Sequence, residues 1–102
     1  MTKLAFIGAG RIAQAIIGGL INQGFVAANM TAADPDTRIL DSLPDGVRRS
    51  ADNLQAASDA DVVILCVKPN MTKSVVSDLA STLTGRLLIS VASGIRASVL
   101  TT

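Results

Sequence analysis

Short apolar runs alternate along the chain with longer segments in which apolar residues recur every three to four positions. The first run, residues 4–7 (LAFI), predicts a strand, and the segment after it has an apolar stripe broad enough to cover a sheet. The stripe consists of Ile12, Ala13, Ile16, Ile17, Leu20 and Ile21. It predicts a helix that ends before Gly24, because glycine commonly terminates helices in the left-handed conformation.

The same alternation continues along the chain and predicts further strands and helices. The predicted strands are residues 29–33, a short edge strand at Val47, residues 62–67 and residues 87–91. Four further helices are predicted. The first opens at Asp34-Pro35, and the second spans residues 53–58 behind the N-cap Asp52. The third contains Val75 and Leu79, and the fourth begins after Gly94. Because consecutive βαβ units connect with a right-handed crossover, these elements predict an α/β fold. Its sheet is parallel and doubly wound, with strand order 3-2-1-4-5.

The turn between the first strand and the first helix carries the pattern Gly8-x-Gly10-x-x-Ala13. Gly8 permits a tight turn, Gly10 lacks the Cβ that would block a pyrophosphate, and Ala13 lets the helix pack close to the strand. The helix start presents free N–H groups and a positive dipole end to phosphate. In this context the pattern predicts a Rossmann-type domain that binds NADP(H) or NAD(H) on residues 8–13. The alternative is a packing turn in a flavodoxin-like domain that binds no nucleotide.

The end of the second strand bears on the choice between NAD and NADP. Asp34 stands where a carboxylate normally binds the ribose 2′-hydroxyl of NAD. Arg38 and Arg11 are the cations available to a 2′-phosphate. The alternative role for Asp34 is that of a helix N-cap ahead of Pro35. These residues leave the choice between the two cofactors open.

Four further residues have both a functional and a structural interpretation. Lys68 follows the central strand and either points toward the cofactor or is an exposed loop lysine. Asn53 binds ribose or phosphate, or only occupies the first turn of a helix. For the pair Gly18-Gly19 inside the first helix, close approach of another element is favoured over ligand contact.

Composition narrows the chemistry that the chain can perform. Nine Lys and Arg residues stand against eight Asp and Glu, so neither nucleic acid nor an anionic membrane is indicated as a partner. The absence of His excludes a His-based triad, and no metal site is expected. The single cysteine, Cys66, excludes an internal disulfide, fits a cytoplasmic location and is interpreted as a core residue. The chemistry is therefore expected to come from a bound cofactor.

Over essentially its whole length the sequence resembles the N-terminal domain of pyrroline-5-carboxylate reductase, which catalyses the last step of proline biosynthesis. The resemblance rests on the segments FIGAG (6–10), AIIGGL (15–20), DP (34–35), DN (52–53), ADVV (60–63), VKP (67–69) and ISVASGI (89–95). The last two, in this order, are the most specific part of the pattern. The pair Arg11-Ile12 stands where the family carries a pair such as Asn-Met, and Asp34 lacks the basic neighbour of NADP-preferring members.

The resemblance implies an oxidoreductase that reduces 1-pyrroline-5-carboxylate to L-proline with hydride from NADPH, which is favoured, or from NADH. The glycine turn would hold the pyrophosphate, the loop after the second strand would meet the adenosine ribose or its phosphate, and later loops would lie near the nicotinamide. The implied cofactor-binding residues are Gly8, Ala9, Gly10, Arg11, Ile12, Asp34, Pro35, Arg38, Asn53, Val67, Lys68, Pro69, Ala92 and Ser93. No catalytic acid or base can be named among them.

Members of this family continue with a helical dimerisation domain that helps to build the substrate site. The chain is therefore expected to be a truncated form, one domain over residues 1–102, that lacks this C-terminal domain. It should bind cofactor, show little or no reductase activity, and form homo-oligomers only together with the missing domain. Residues 99–102 are expected to begin a helix, which would leave the fifth strand as an exposed edge. The alternatives are the cofactor domain of another dehydrogenase, of the β-hydroxyacid type, and a non-catalytic module that senses nucleotides.

Overall fold

The polypeptide folds around one six-stranded sheet with the strand order β3-β2-β1-β4-β5-β6. The computed structural model describes residues 2–67, 74–79, 82, 87–91 and 97–101. The strands are β1 (Leu4–Ile7), β2 (Met30–Ala33), β3 (Arg48–Ser50), β4 (Val62–Leu65), β5 (Leu87–Val91) and β6 (Ala97–Thr101). The helices are α1 (Arg11–Asn22), α2 (Thr37–Asp41) and α3 (Asn53–Ser58), together with a 3-10 turn at Ala27–Asn29 and a helical segment over residues 74–79.

Strands β1 to β5 are parallel, and they confirm the predicted order 3-2-1-4-5. Strand β1 lies between β2 and β4, with Leu4 opposite Met30 on one side and Val62 on the other. The chain moves outward from β1 to β3 and then returns to start again at β4. The carboxyl ends of β1 and β4 therefore border the crevice in which doubly wound sheets bind their ligands.

The last described segment forms a strand and not the beginning of a helix. Strand β6 runs antiparallel to β5, with Val91 opposite Ala97. The expectation that a helix begins at residue 99 is therefore wrong for residues 99–101, and so is the expectation that β5 is an exposed edge. Both expectations fail for a physical reason. Val99 and Thr101 are β-branched residues, which favour strands, and the edge of β5 offers a row of backbone groups with which this segment can pair.

Alternate residues of β1 point to opposite faces of the sheet, and helices cover both faces. Leu4 and Phe6 pack in a cluster with residues of α1 and α2. Ala5 and Ile7 pack on the other face with residues of α3 and of the helical segment 74–79. All four residues of β1 are buried. This arrangement confirms the doubly wound, Rossmann-type architecture.

Helix α1 ends in a Schellman motif, as Gly24 predicts. Gly24 has a φ of +95°, in the left-handed region. Its N–H donates to the carbonyl of Ile21 at 3.0 Å, and the N–H of Phe25 donates to the carbonyl of Leu20 at 2.9 Å. These two bonds satisfy carbonyl groups that a helix end otherwise leaves without partners.

The glycine pair inside α1 differs from the prediction. Apart from chain neighbours and the backbone of the helix itself, no heavy atom of the described residues lies within 4 Å of the Cβ position of Gly18 or Gly19. The prediction that another element approaches the glycine pair closely is therefore wrong for the described residues. Nothing in the described residues explains why both positions are glycine.

Helix α2 begins at Thr37, later than the predicted opening at Asp34-Pro35. Its N-cap is Asp36, whose carboxylate accepts from the N–H of Arg38 at 3.0 Å. The prediction is wrong because a residue that precedes proline is biased away from helical geometry, and because Asp34 closes a turn by accepting from the N–H of Asp36 at 2.9 Å. The alternative role of Asp34 as the N-cap is wrong for the same reason.

The remaining boundaries differ from the prediction by only a few residues. Strand β2 begins at Met30, and β3 follows directly after Val47. Strand β4 ends at Leu65, although the N–H of Cys66 still donates to the carbonyl of Ile7 at 2.8 Å. Among the helices of the described residues, none combines the length and the apolar character that crossing a lipid bilayer requires.

Candidate functional site

The glycine turn, residues 8–10, joins the carboxyl end of β1 to α1, and its first glycine is required by the fold itself. Gly8 has a φ of +98°, which side-chain-bearing residues rarely adopt. A Cβ at this position would lie 3.0 Å from the carbonyl oxygen of Cys66. The N–H of Gly8 donates to the carbonyl of Ala33 at 2.7 Å, which ties the turn to the end of β2.

The second glycine of the turn, Gly10, is under no such constraint from the chain. Its φ of −75° and ψ of −161° are accessible to any residue. No heavy atom of the described residues lies within 4 Å of the position that its Cβ would take, chain neighbours aside. The backbone of Gly10 is therefore open to close approach by a ligand.

The first turn of α1 has a charge distribution that suits a bound anion. The helix begins at the exposed Arg11, and its first turn contains no acidic residue. The N-cap Gly10 has no side chain to accept a hydrogen bond from the N–H groups that follow it. A cation at the positive end of the helix dipole is unfavourable unless an anion offsets it. Ile12, 36% exposed, lies beside Arg11 in the same turn.

Ala9 is held through both of its backbone groups, an arrangement that we call the Ala9 clamp. Its N–H donates to Asp34 Oδ2 at 3.0 Å, and its carbonyl accepts from Gln14 Nε2 at 2.9 Å. Gln14 Nε2 also lies 3.1 Å from Ser42 Oγ at the end of α2. The sequence motifs did not identify Gln14 or Ser42, and no local pattern connects two residues that are 28 positions apart.

The structure places Asp34 at the carboxyl end of β2, as predicted, but gives its carboxylate backbone partners. Oδ2 accepts from the N–H of Ala9, and Oδ1 accepts from the N–H of Asp36. A contact between Asp34 and a ribose hydroxyl stays a prediction.

Arg38 and Asp36 form an ion pair at the start of α2. Arg38 Nε lies 3.4 Å from Asp36 Oδ1. The side-chain hydrogen bond from Arg38, together with the bond from its backbone N–H, lowers the pKa of the Asp36 carboxyl below its usual value. The side chain of Arg38 is 91% exposed, so an anion from solvent can reach the guanidinium.

The start of α3 lies at the same edge of the sheet. The predicted N-cap is confirmed, because Asp52 Oδ1 accepts from the N–H of Leu54 at 2.9 Å. The half-buried Asn53 is the first residue of the helix. The N–H of Asp34 donates to the carbonyl of Ser50 at 3.1 Å, so the ends of β2 and β3 are joined. The loops that carry Asp34 and Asn53 are therefore neighbours.

Two residues after β4 complete the described part of the site. Burial raises the pKa of the Cys66 thiol to about 11, so the thiol stays protonated near neutral pH, in agreement with a core role. Val67 is partly buried and packs against the cluster that contains Ile7. The other predicted site residues, Lys68, Pro69, Ala92 and Ser93, lie outside the described residues. Within residues that the structure describes, no three His, Cys, Asp or Glu side chains are grouped to hold a metal ion.

Comparison with known proteins agrees with this geometry. Residues 3–94 match the model of the family described as NADP oxidoreductase coenzyme F420-dependent. The chain belongs to this family. The chain is 48% identical to the pyrroline-5-carboxylate reductase of Vibrio alginolyticus over 99 residues, which are 94% of the chain and 36% of that protein.

Solved structures of oxidoreductases have the same fold. A pyrroline-5-carboxylate reductase from Coxiella burnetii matches with a TM-score of 0.86 and 36% identity over 93% of this chain and 37% of that one. A pyrroline carboxylate reductase from Plasmodium falciparum, solved with NADP bound, matches with a TM-score of 0.78 and 25% identity over 92% of this chain and 34% of that one. These matches confirm the resemblance that the motifs indicate. The chain spans about a third of the length of these relatives.

Proposed function

We propose that the glycine turn and the first turn of α1 bind the pyrophosphate of NADP(H), or alternatively of NAD(H). The observation that carries this proposal is the open backbone of Gly10 beside a helix start that has a basic residue and no acidic one. Free N–H groups at a helix N-terminus, the positive dipole end and Arg11 together favour a diphosphate. Gly10, Arg11 and Ile12 are proposed to contact it, while Gly8 and the fully buried Ala9 give the turn its shape.

We propose that the adenosine end lies over the loops after β2 and β3, near Pro35, Arg38 and Asn53, while the carboxylate of Asp34 stays bonded to the backbone of Ala9 and Asp36. The exposed guanidinium of Arg38 supports NADP(H) as the favoured cofactor, because a planar guanidinium suits a 2′-phosphate. The NADP bound to the Plasmodium falciparum reductase supports the same choice. The family resemblance puts Val67, Lys68, Pro69, Ala92 and Ser93 near the nicotinamide.

We further propose that the chain serves the reduction of 1-pyrroline-5-carboxylate to L-proline as one cofactor-binding domain, residues 1–102. A bound reduced nicotinamide would supply the hydride that the imine carbon accepts, while the nitrogen takes a proton. The task of the chain would be to hold the cofactor so that its nicotinamide lies over the crevice between β1 and β4. The relatives extend well beyond the matched part, and we propose that substrate contacts and any homo-oligomer interface come from that further part. The single cysteine supports a cytoplasmic location.

The variant Gly10→Val tests the site. A Cβ at this position meets open space in the free chain. The valine side chain would occupy the proposed path of the pyrophosphate, so we expect folding to persist while binding is lost. Isothermal titration with NADPH and NADH side by side should show affinities reduced by more than about tenfold, which is ~1.4 kcal/mol.

The matched control is Gly19→Ala, an exposed position in the same helix at which a Cβ also meets open space. It should leave both affinities unchanged and retain the circular dichroism of the wild-type chain. Equal binding by Gly10→Val and wild type would contradict the site. Failure of the wild-type chain to bind either dinucleotide at millimolar concentration would contradict the proposed function.

A further inference from the structure

We propose that Asp34 is a positioning residue that fixes the glycine turn through the N–H of Ala9, and that it does not choose between NADH and NADPH. The inference rests on the proposed function and deepens it. A carboxylate at the end of the second strand of a dinucleotide-binding sheet is otherwise expected to bind the ribose 2′-hydroxyl and so to favour NADH.

The carboxylate of Asp34 is committed to the backbone on both of its oxygens. Oδ2 accepts from Ala9 N at 3.0 Å, and Oδ1 accepts from Asp36 N at 2.9 Å. Hydrogen bonds to an ionised acceptor are stronger than bonds between neutral groups. Ala9 itself is fully buried, so its N–H needs an acceptor within the protein. Asp34 supplies that acceptor.

The other half of the Ala9 clamp fixes the same residue from the opposite side. Gln14 Nε2 donates to the carbonyl of Ala9 and also contacts Ser42 Oγ, so the turn is tied to both ends of the segment that holds α2. With Ala9 held in this way, its N–H is directed at Asp34. The N–H groups that remain for a pyrophosphate are those at the start of α1. The shape of the turn therefore depends on the loop after β2.

The variant Asp34→Asn separates the two roles. An asparagine side chain has one acceptor oxygen in place of two, so either Ala9 or Asp36 loses its partner. If Asp34 positions the turn, NADPH and NADH should both bind roughly tenfold more weakly, with the ratio of their affinities unchanged. Binding of 2′-AMP, which has no pyrophosphate, should change by less than about twofold. The titrations are made at physiological ionic strength, where the Debye length is about 8 Å.

The control is Asp41→Asn, which removes the same unit charge from an exposed position at the end of α2. It should change neither dinucleotide affinity.

Each contrary outcome has a distinct meaning. Loss of NADH affinity alone in Asp34→Asn would show that the carboxylate binds the ribose and would overturn the inference. Equal weakening of all three ligands would show a general structural role and would also overturn it. Absence of dinucleotide binding by the wild-type chain would instead overturn the proposed function on which the inference rests.

Discussion

At the scale of single residues, the two glycines of the glycine turn meet different requirements. Gly8 is fixed by the chain, because its φ is positive and a Cβ would press on the backbone carbonyl of Cys66. Gly10 has ordinary dihedral angles and open space beside it. One glycine therefore serves folding, and the other serves the proposed ligand.

Substitution by alanine should distinguish these two roles. Gly8→Ala should lower the free energy of unfolding by about 1–3 kcal/mol, because it combines strained dihedral angles with a close contact to backbone. Gly10→Ala, the matched control, should stay within about 0.5 kcal/mol of wild type. Urea unfolding followed by circular dichroism measures both. Equal costs at the two positions would contradict the assignment.

The sequence was sufficient to predict the glycine turn but not the Ala9 clamp. The roles of Gly8, Gly10 and Ala13 arise within one strand–turn–helix unit, so their spacing between an apolar run and a helical stripe predicts the turn. The clamp instead joins Ala9 to Asp34 across 25 positions. That contact exists only after β1 and β2 have paired in register, which no local pattern encodes.

At the scale of elements, α2 shows how polar contacts set the limits of a short helix. Five residues are too few to form a stable helix alone. Asp36 caps its start, and Arg49 on β3 donates from its guanidinium to the carbonyls of Leu40, Leu43 and Val47 at 2.6, 2.9 and 3.1 Å. The predicted start at Asp34-Pro35 was wrong because both the turn at Asp34 and the cap at Asp36 compete with helical geometry.

Replacing the guanidinium should weaken this end of α2. Arg49→Lys cannot donate to three carbonyls from one planar group and should cost about 1–2 kcal/mol of unfolding free energy. Arg48→Lys, at the neighbouring exposed position of the same strand, should cost less than about 0.5 kcal/mol. The comparison is made by urea unfolding, and identical midpoints for the two variants would show that the bonds of Arg49 contribute nothing.

At the scale of the whole molecule, the order of the parallel strands was predictable and the sixth strand was not. Alternating strands and helices with right-handed crossovers leave few arrangements for β1 to β5. The pairing of β6 depends on the free edge of β5, which exists only once the sheet has formed. A short segment such as residues 97–101 has no periodicity long enough to distinguish strand from helix.

We expect the chain to bind cofactor without catalysing the reduction, because the proposed substrate contacts come from the further part of the longer relatives. The 102-residue chain should bind NADPH and yet oxidise it in the presence of 1-pyrroline-5-carboxylate more slowly than about 1 s⁻¹, the lower end of ordinary turnover. Loss of NADPH absorbance measures the rate, with the full-length Vibrio alginolyticus reductase as the positive control. Turnover at the rate of that enzyme would show that the matched third of its length already contains a complete active site.

The hydrogen bonds of the Ala9 clamp all lie within the chain, so they form when the protein folds. Fixing a loop residue costs roughly 1–2 kcal/mol of conformational entropy per residue, and this cost is then incurred during folding, before a pyrophosphate binds. A preorganised turn of this kind increases affinity without adding a contact. Because the clamp forms before the ligand arrives, we expect that rearrangement of the glycine turn does not limit the rate of association.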